Sequence, residues 1–271
     1  MILKGFALAA GGFLFIFSPG LPMSLISRRS PAVKRDLVYW GMLVWLAALL
    51  PSIFIQSLLR QILLGSQTPG TLPSPAVLAD YAMTLIGALL TAFFVTGAMM
   101  LVLGRQKSDT ALLPNGLALG FGVGLVAQLF TGLSLVGAGF RLMFGDTSSP
   151  TLAGLAQTGF FEILVGLLPL VLFRPALLSV SALQGVLAGR ALRESWKYFW
   201  LAIFVNTIFV WAITAFQLVL GGNNAGEVLV GHTDLPVSAV TALYYLLAFG
   251  LAMRWLFAQI KTWAPEANQR K

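Results

Sequence analysis

The sequence predicts an all-α protein, a polytopic bundle of about seven transmembrane helices, and two observations carry this prediction. Of the 271 residues, 58% are hydrophobic and 10% are charged, with a mean hydropathy of +0.88, whereas a typical soluble domain is about 25% charged. Apolar stretches of about 20 residues, the length that crosses a bilayer, also recur along the chain with polar loops between them. We therefore expect a single integral-membrane domain over residues 1–271 and no soluble catalytic domain.

Apolar segments define the predicted spans in order. The first contains Pro19 and Pro22 and has no small-residue cleavage site after it, so we expect a retained helix that bends at its prolines. Short runs of glycine, proline, serine and asparagine, namely 65–70, 72–75, 145–150 and 221–224, lie between the segments and are typical of loops. The predicted spans cover residues 5–26, 37–59, 80–103, 113–139, 168–192, 200–220 and 236–258.

The stretch 151–192 is apolar enough for one span or two, and the basic residues decide between them. With one span, the basic groups fall on one side of the membrane, as the positive-inside rule requires of cytoplasmic loops. We therefore expect one span over 168–192, preceded by an interfacial or re-entrant helix over 152–166. The N-terminus would lie outside and the C-terminus in the cytoplasm of a bacterial inner membrane. The basic groups are Arg28/Arg29/Lys34/Arg35, Arg105/Lys107, Arg190/Arg193/Lys197 and Lys261/Arg270/Lys271.

Charge and composition exclude several kinds of ligand. The net charge of +8 is explained by basic cytoplasmic loops, so we expect no nucleic-acid partner. The absence of cysteine excludes disulfides and thiolate metal sites. His232 is the single histidine, and together with Asp234 it does not supply the ligands of a typical zinc site. We expect no metal and no cofactor, although the tryptophans near the cytoplasmic boundary leave an aromatic cofactor pocket as an alternative to an aromatic belt.

The fourth predicted span carries glycines at a regular spacing. Gly116, Gly120 and Gly124 recur every four residues, so they lie along one face of a helix. Small residues at this spacing let another membrane helix approach closely. The segment 120–124 also looks like a nucleotide-binding loop, but such a loop needs a preceding strand. The spacing therefore predicts helix packing.

Few polar side chains fall within the predicted spans. Glu162 and Arg174 are expected near the outer interface, with Glu162 on the interfacial helix and Arg174 snorkelling from the span, either as a structural pair or unpaired. A functional charge inside the membrane is the alternative reading. Gln128 and Asn206 are candidate intramembrane polar residues. With Gln157, Ser181 and Thr207 they would line a thin polar path.

The order of these features resembles the YhfC-type, PrsW-like family of glutamate-dependent intramembrane proteases. The similar segments are 18–22 with the basic loop after it, 119–127, 173–181 and 201–206. The likeness implies a helical membrane scaffold over nearly the whole chain. The catalytic groups of that family are missing here, because no acid or histidine stands at the corresponding places. Those places are the segment 94–97, Val123, Ala127, Phe173, Ser181 and Asn206.

We therefore expect a pseudo-protease scaffold without enzymatic activity, since a hydrolase needs a base, an acid or a metal to activate water. Its expected role is that of a structural or accessory subunit, packed against other integral-membrane subunits and surrounded by membrane lipids. A membrane subunit of a transporter or permease is the first alternative. An active intramembrane protease is the second.

Overall fold

A computed structural model describes residues 1–27, 35–64, 75–105, 112–127, 129–219 and 235–268, and within these ranges the chain is helical without strands. The all-α prediction is confirmed. The helices are α1 (Ile2–Phe17), α2 (Gly20–Ser27), α3 (Arg35–Leu64), α4 (Pro75–Gly104), α5 (Leu112–Val126), α6 (Leu129–Met143), α7 (Pro150–Gln157), α8 (Phe160–Arg193), α9 (Lys197–Val219) and α10 (Leu235–Asn268).

The described residues contain six segments that are long and apolar enough to cross a membrane, which makes this a multi-pass integral membrane protein. The side chains of α9 are described over Lys197–Ala212, and this part of α9 is apolar but shorter than the six segments. The backbone of α9 is helical for 23 residues, about 35 Å at 1.5 Å per residue. The six segments are Ile2–Ile26, Asp36–Ile62, Tyr81–Gly104, Leu112–Met143, Phe160–Arg193 and Leu235–Lys261.

Two predicted segments contain a break in the helix. In the first span, Ser18 and Pro19 separate α1 from α2, at one of the two prolines that the sequence places in this segment. The fourth predicted span, 113–139, is two helices, since α5 ends at Val126 and α6 begins at Leu129. The two helices lie within one apolar segment, Leu112–Met143, that is long enough to cross a membrane.

The boundary between the interfacial helix and the fifth span also differs from the prediction. α7 ends at Gln157, and residues 160–166 belong to α8 instead of to an interfacial helix over 152–166. The reason is a hydrogen bond at the start of α8, where a carboxylate oxygen of Glu162 accepts from the amide of Gly159 over 2.7 Å. Such a bond satisfies a backbone donor that a helix start leaves unpaired. α8 then runs unbroken through Pro169 and Pro175 to Arg193, as a single span.

The chain divides into two compact units. Unit 1 comprises Met1–Ile26, Ala127–Ser179 and Gly222–Arg254. In it α1 packs against α6 through glycines, because a side chain on Gly5 or Gly12 would overlap the backbone of α6. Leu8, Leu135 and Ile163 are fully buried in the adjoining core.

Unit 2 comprises Ser27–Val126, Val180–Gly221 and Trp255–Lys271. α5 lies in its middle, with α3 on one side and the second half of α8 on another. A side chain on Gly122 would overlap Val38 and Gly41 of α3, and one on Gly120 would overlap Ser181 and Ala182 of α8. α3 and α4 run antiparallel, since Ser52 meets Thr91 and Gln56 meets Gly87.

Candidate functional site

A buried network of polar side chains joins three helices of unit 2. Gln184 of α8 donates from its amide to Thr96 Oγ1 of α4 over 2.8 Å and to the Ala92 carbonyl over 3.3 Å. Asn206 of α9 donates to the Gln184 Oε1 over 2.6 Å. Thr96 in turn donates to the Ala92 carbonyl over 2.6 Å. Gln184 and Thr96 are fully buried, and Asn206 is 8% exposed.

The side chains of this network are two amides and a hydroxyl, which carry no charge near neutral pH. An amide and a hydroxyl can position a polar group, but they cannot act as a general base or acid near neutral pH. Each of the three side chains also forms a hydrogen bond with another side chain of the network. The arrangement therefore holds α4, α8 and α9 together, and it supplies no group that activates water.

A second polar contact joins α3 and α4 within unit 2. Ser52 and Thr91 share a hydrogen bond of 2.7 Å, and the Gln56 amide donates to Ser52 over 2.9 Å and to the Gly87 carbonyl over 3.2 Å. Polar side chains between membrane helices commonly hydrogen-bond to one another in this way. α4 is thus bound by side-chain hydrogen bonds on two faces.

The glycines singled out in the fourth predicted span lie inside the molecule. A side chain on Gly116 would overlap the Gly185 carbonyl, and one on Gly185 would overlap the Gly116 carbonyl, so α5 and α8 approach backbone to backbone. Gly120 meets Ser181 one turn further along. Gly124 is buried as well. Because α8 covers Gly116 and Gly120, these two glycines are not available to a separate subunit.

Arg174 is buried inside the molecule, whereas the sequence predicted that it would reach the outer interface. It is 1% exposed, donates to the carbonyl of Ala127, the residue after α5, and has its guanidinium 5.3 Å from the centre of the Phe15 ring. A side chain this buried does not snorkel to the interface. Glu162 is exposed and sits in the first turn of α8, about 18 Å from Arg174 along the helix at 1.5 Å per residue. The two residues therefore do not form a pair.

Several residues considered from the sequence lie outside the described part of the chain, namely Gln128, His232 and Asp234. Among the described residues, no three His, Asp or Glu side chains are grouped so that they could hold a metal ion. Ser181 and Thr207 are buried near the polar network, on α8 and α9.

Unit 2 also contains a lateral groove of about 860 Å³. Its walls come from α3 (Ala47 to Pro51), α4 (Phe93 to Gly104), the end of α8 and the start of α9. Arg105 ends the α4 wall, and Trp196 and Trp200 lie beside Phe199. Aromatic rings pack edge to face along one wall, with Phe199 5.7 Å from Phe93 and 5.2 Å from Trp196 between ring centres.

Sequence reasoning missed Gln184 and the lateral groove. Gln184 is one amide in the apolar stretch 176–188, and its partners Thr96 and Asn206 are 88 and 22 residues away. A polar residue inside a predicted span was the available signal, since such residues need a partner.

Comparison of the chain with protein-family models, with curated proteins and with solved structures finds no match.

Proposed function

We propose that this protein is a non-catalytic membrane subunit, with a structural or accessory role in a larger membrane complex. The observation that carries the proposal is the buried network of Thr96, Gln184 and Asn206. An intramembrane enzyme requires acids, bases or metal ligands among its buried polar groups. Here neutral side chains occupy it and hydrogen-bond to one another, which supports a role in joining helices.

The outward face of α3 is the proposed contact for a partner subunit. Only 17% of the apolar window of α3 is buried, the smallest share among the six candidate spans. Leu43, Leu46, Leu50 and Phe54 are all exposed at spacings of three and four residues, so they form one continuous stripe on the helix. Such a stripe packs against either lipid chains or a neighbouring membrane helix.

The experiment is purification of the full chain from its native membrane, in mild detergent and without crosslinking. We expect a membrane protein to co-purify in a fixed molar ratio. Replacing Leu43, Leu50 and Phe54 together by alanine keeps the helix apolar and weakens side-chain packing. We expect this variant to fold and to lose the partner.

The matched control replaces Leu243, Leu247 and Leu251 of α10 by alanine, because these residues are equally apolar and exposed. It should retain the partner. Recovery of the wild-type protein without any protein in a fixed ratio would contradict the proposed role. Loss of the partner in both triple variants would contradict the assignment to α3.

An active intramembrane protease is the alternative that must be tested alongside. Glu162 is the acid that such an activity would have available at the start of α8. We expect the purified protein to release no product from a panel of transmembrane substrates, with or without added zinc. Metal-dependent cleavage that Glu162→Gln abolishes would overturn the proposal.

A further inference from the structure

We propose that the lateral groove of unit 2 binds one acyl chain of an anionic phospholipid, with the lipid phosphate at Arg105. The proposal is independent of whether the protein has a partner subunit. It rests on the size, depth and lining of the groove, and on the charge at its end.

The size and depth of the groove fit one leaflet of a bilayer. Its volume of about 860 Å³ lies within the range of about 300–1,000 Å³ that is typical of small-molecule sites. Along α4 it extends from Phe93 to Arg105, which is about 18 Å at 1.5 Å per residue. Half of a hydrocarbon core of about 30 Å is about 15 Å. A chain lying along α4 would therefore reach from mid-membrane to the headgroup level.

The groove changes from apolar to cationic along its length. Along α4 the lining is apolar from Phe93 to Gly104 and ends at Arg105. An arginine that ends an apolar segment can keep its charged group at the headgroup level. This order matches the order of parts in a phospholipid.

The charge at the Arg105 end favours an anionic headgroup. Arg190, Arg193 and Lys197 lie at the end of α8 and the start of α9, on either side of the groove residues Leu192 and Trp196. Within the segment 190–197, Glu194 is the one carboxylate, and it lies 3.7 Å from Arg190. The cationic groups outnumber the carboxylates, so a phosphate is attracted to this end.

Gly97 and Gly104 keep the groove open. They lie seven residues apart, on the same face of α4, and no described atom lies within 4 Å of the position that a Cβ would take on either. A Cβ at position 97 would therefore meet no described atom, and a leucine there would extend into the groove that Gly97 lines. This offers a way to fill the groove while the fold remains intact.

The test uses the full chain, delipidated in mild detergent and titrated separately with dioleoylphosphatidylglycerol, dioleoylphosphatidylcholine and ubiquinone. Bound molecules per protein are counted by native mass spectrometry. We expect one phosphatidylglycerol to bind more tightly than the rest and in preference to phosphatidylcholine. Gly97→Leu should weaken this binding by about tenfold or more, because the added side chain occupies the space of the acyl chain.

Arg105→Gln should reduce the preference for phosphatidylglycerol over phosphatidylcholine by about fivefold, the contribution of one basic residue near an anionic lipid. The controls are Gly250→Leu, at another open glycine, and Arg254→Gln, at another exposed arginine, both on α10. Both should bind as the wild type does. Any of three results would overturn the proposal. Gly97→Leu could bind phosphatidylglycerol as the wild type does, the wild type could bind the two lipids equally, or ubiquinone could displace the lipid.

Discussion

At the scale of single residues, Gln184 hydrogen-bonds to the side chains of two other helices of unit 2, α4 and α9. We expect Gln184→Leu to lower the free energy of unfolding by about 1 kcal/mol, the order measured for hydrogen bonds between membrane helices. The physical reason is that the Asn206 amide, buried beside it, loses its acceptor. Thermal unfolding in detergent, with the wild type alongside, measures the effect.

A double-mutant cycle supplies the control for Gln184. Because both variants remove the same hydrogen bond, Gln184→Leu combined with Asn206→Leu should destabilise the protein by less than the sum of the single variants. Additive effects would mean that the two amides contribute independently, contrary to the geometry.

Asp146 gives a pH-dependent prediction outside the spans. The Ser148 amide donates to the Asp146 carboxylate over 2.9 Å, and Arg141 donates to it over 2.7 Å. The Ser148 hydroxyl also hydrogen-bonds to this carboxylate. These groups lower the pKa of Asp146 from 3.8 to about 2. Since the folded pKa is the lower one, the turn is stabilised above pH 3.8, and this stabilisation is lost as the pH falls through about 2.

The titration of the Asp146 carboxyl carbon by NMR measures this pKa directly. We expect a midpoint of about 2. In Arg141→Gln the midpoint should rise only part of the way to 3.8, because the Ser148 amide is the largest cause of the shift. A wild-type midpoint at the ordinary value would show that the turn is not formed in solution.

At the scale of helices, the approach of α5 to α8 depends on glycine. The Cβ of a leucine at position 120 would overlap the Ser181 carbonyl and lie 2.7 Å from the Ala182 Cα. Overpacking of this kind typically costs about 1–3 kcal/mol. We therefore expect Gly120→Leu to lower the melting temperature in detergent. Gly250→Leu introduces the same side chain where no described atom lies within 4 Å, and should leave the melting temperature unchanged.

The helices also show how far the sequence could predict this structure. The apolar runs predicted most spans, because hydrophobicity over about 20 residues is a strong local signal. The break after Val126 carries no proline, and the carbonyl of Ala127 is held by Arg174, 47 residues later. The prediction that the Arg174 side chain snorkels to the interface was therefore wrong, because its acceptor, the Ala127 carbonyl, could not be identified from residues near it in the sequence. Gln184 was missed for the same reason.

At the scale of the whole molecule, the number of crossings decides the topology. Six segments qualify as spans by length and composition, and α9 is the further helix that would complete seven. If α9 crosses, the basic clusters stay on the cytoplasmic side. We expect a reporter fused after Lys107 to be cytoplasmic and one fused after Asn224 to lie outside. Both reporters on one side would show that α9 does not cross and would reverse the expected side of the C-terminus.

The contact between Gly116 and Gly185 has a consequence for the evolution of the chain. Each glycine faces the backbone carbonyl of the other, so any substitution at either position adds atoms where there is no space. A second change at the partner position cannot compensate, because glycine is already the smallest residue. Neither codon can therefore drift alone or together with the other. In diverged copies of this protein we expect both positions to stay fixed while the surrounding apolar residues exchange freely.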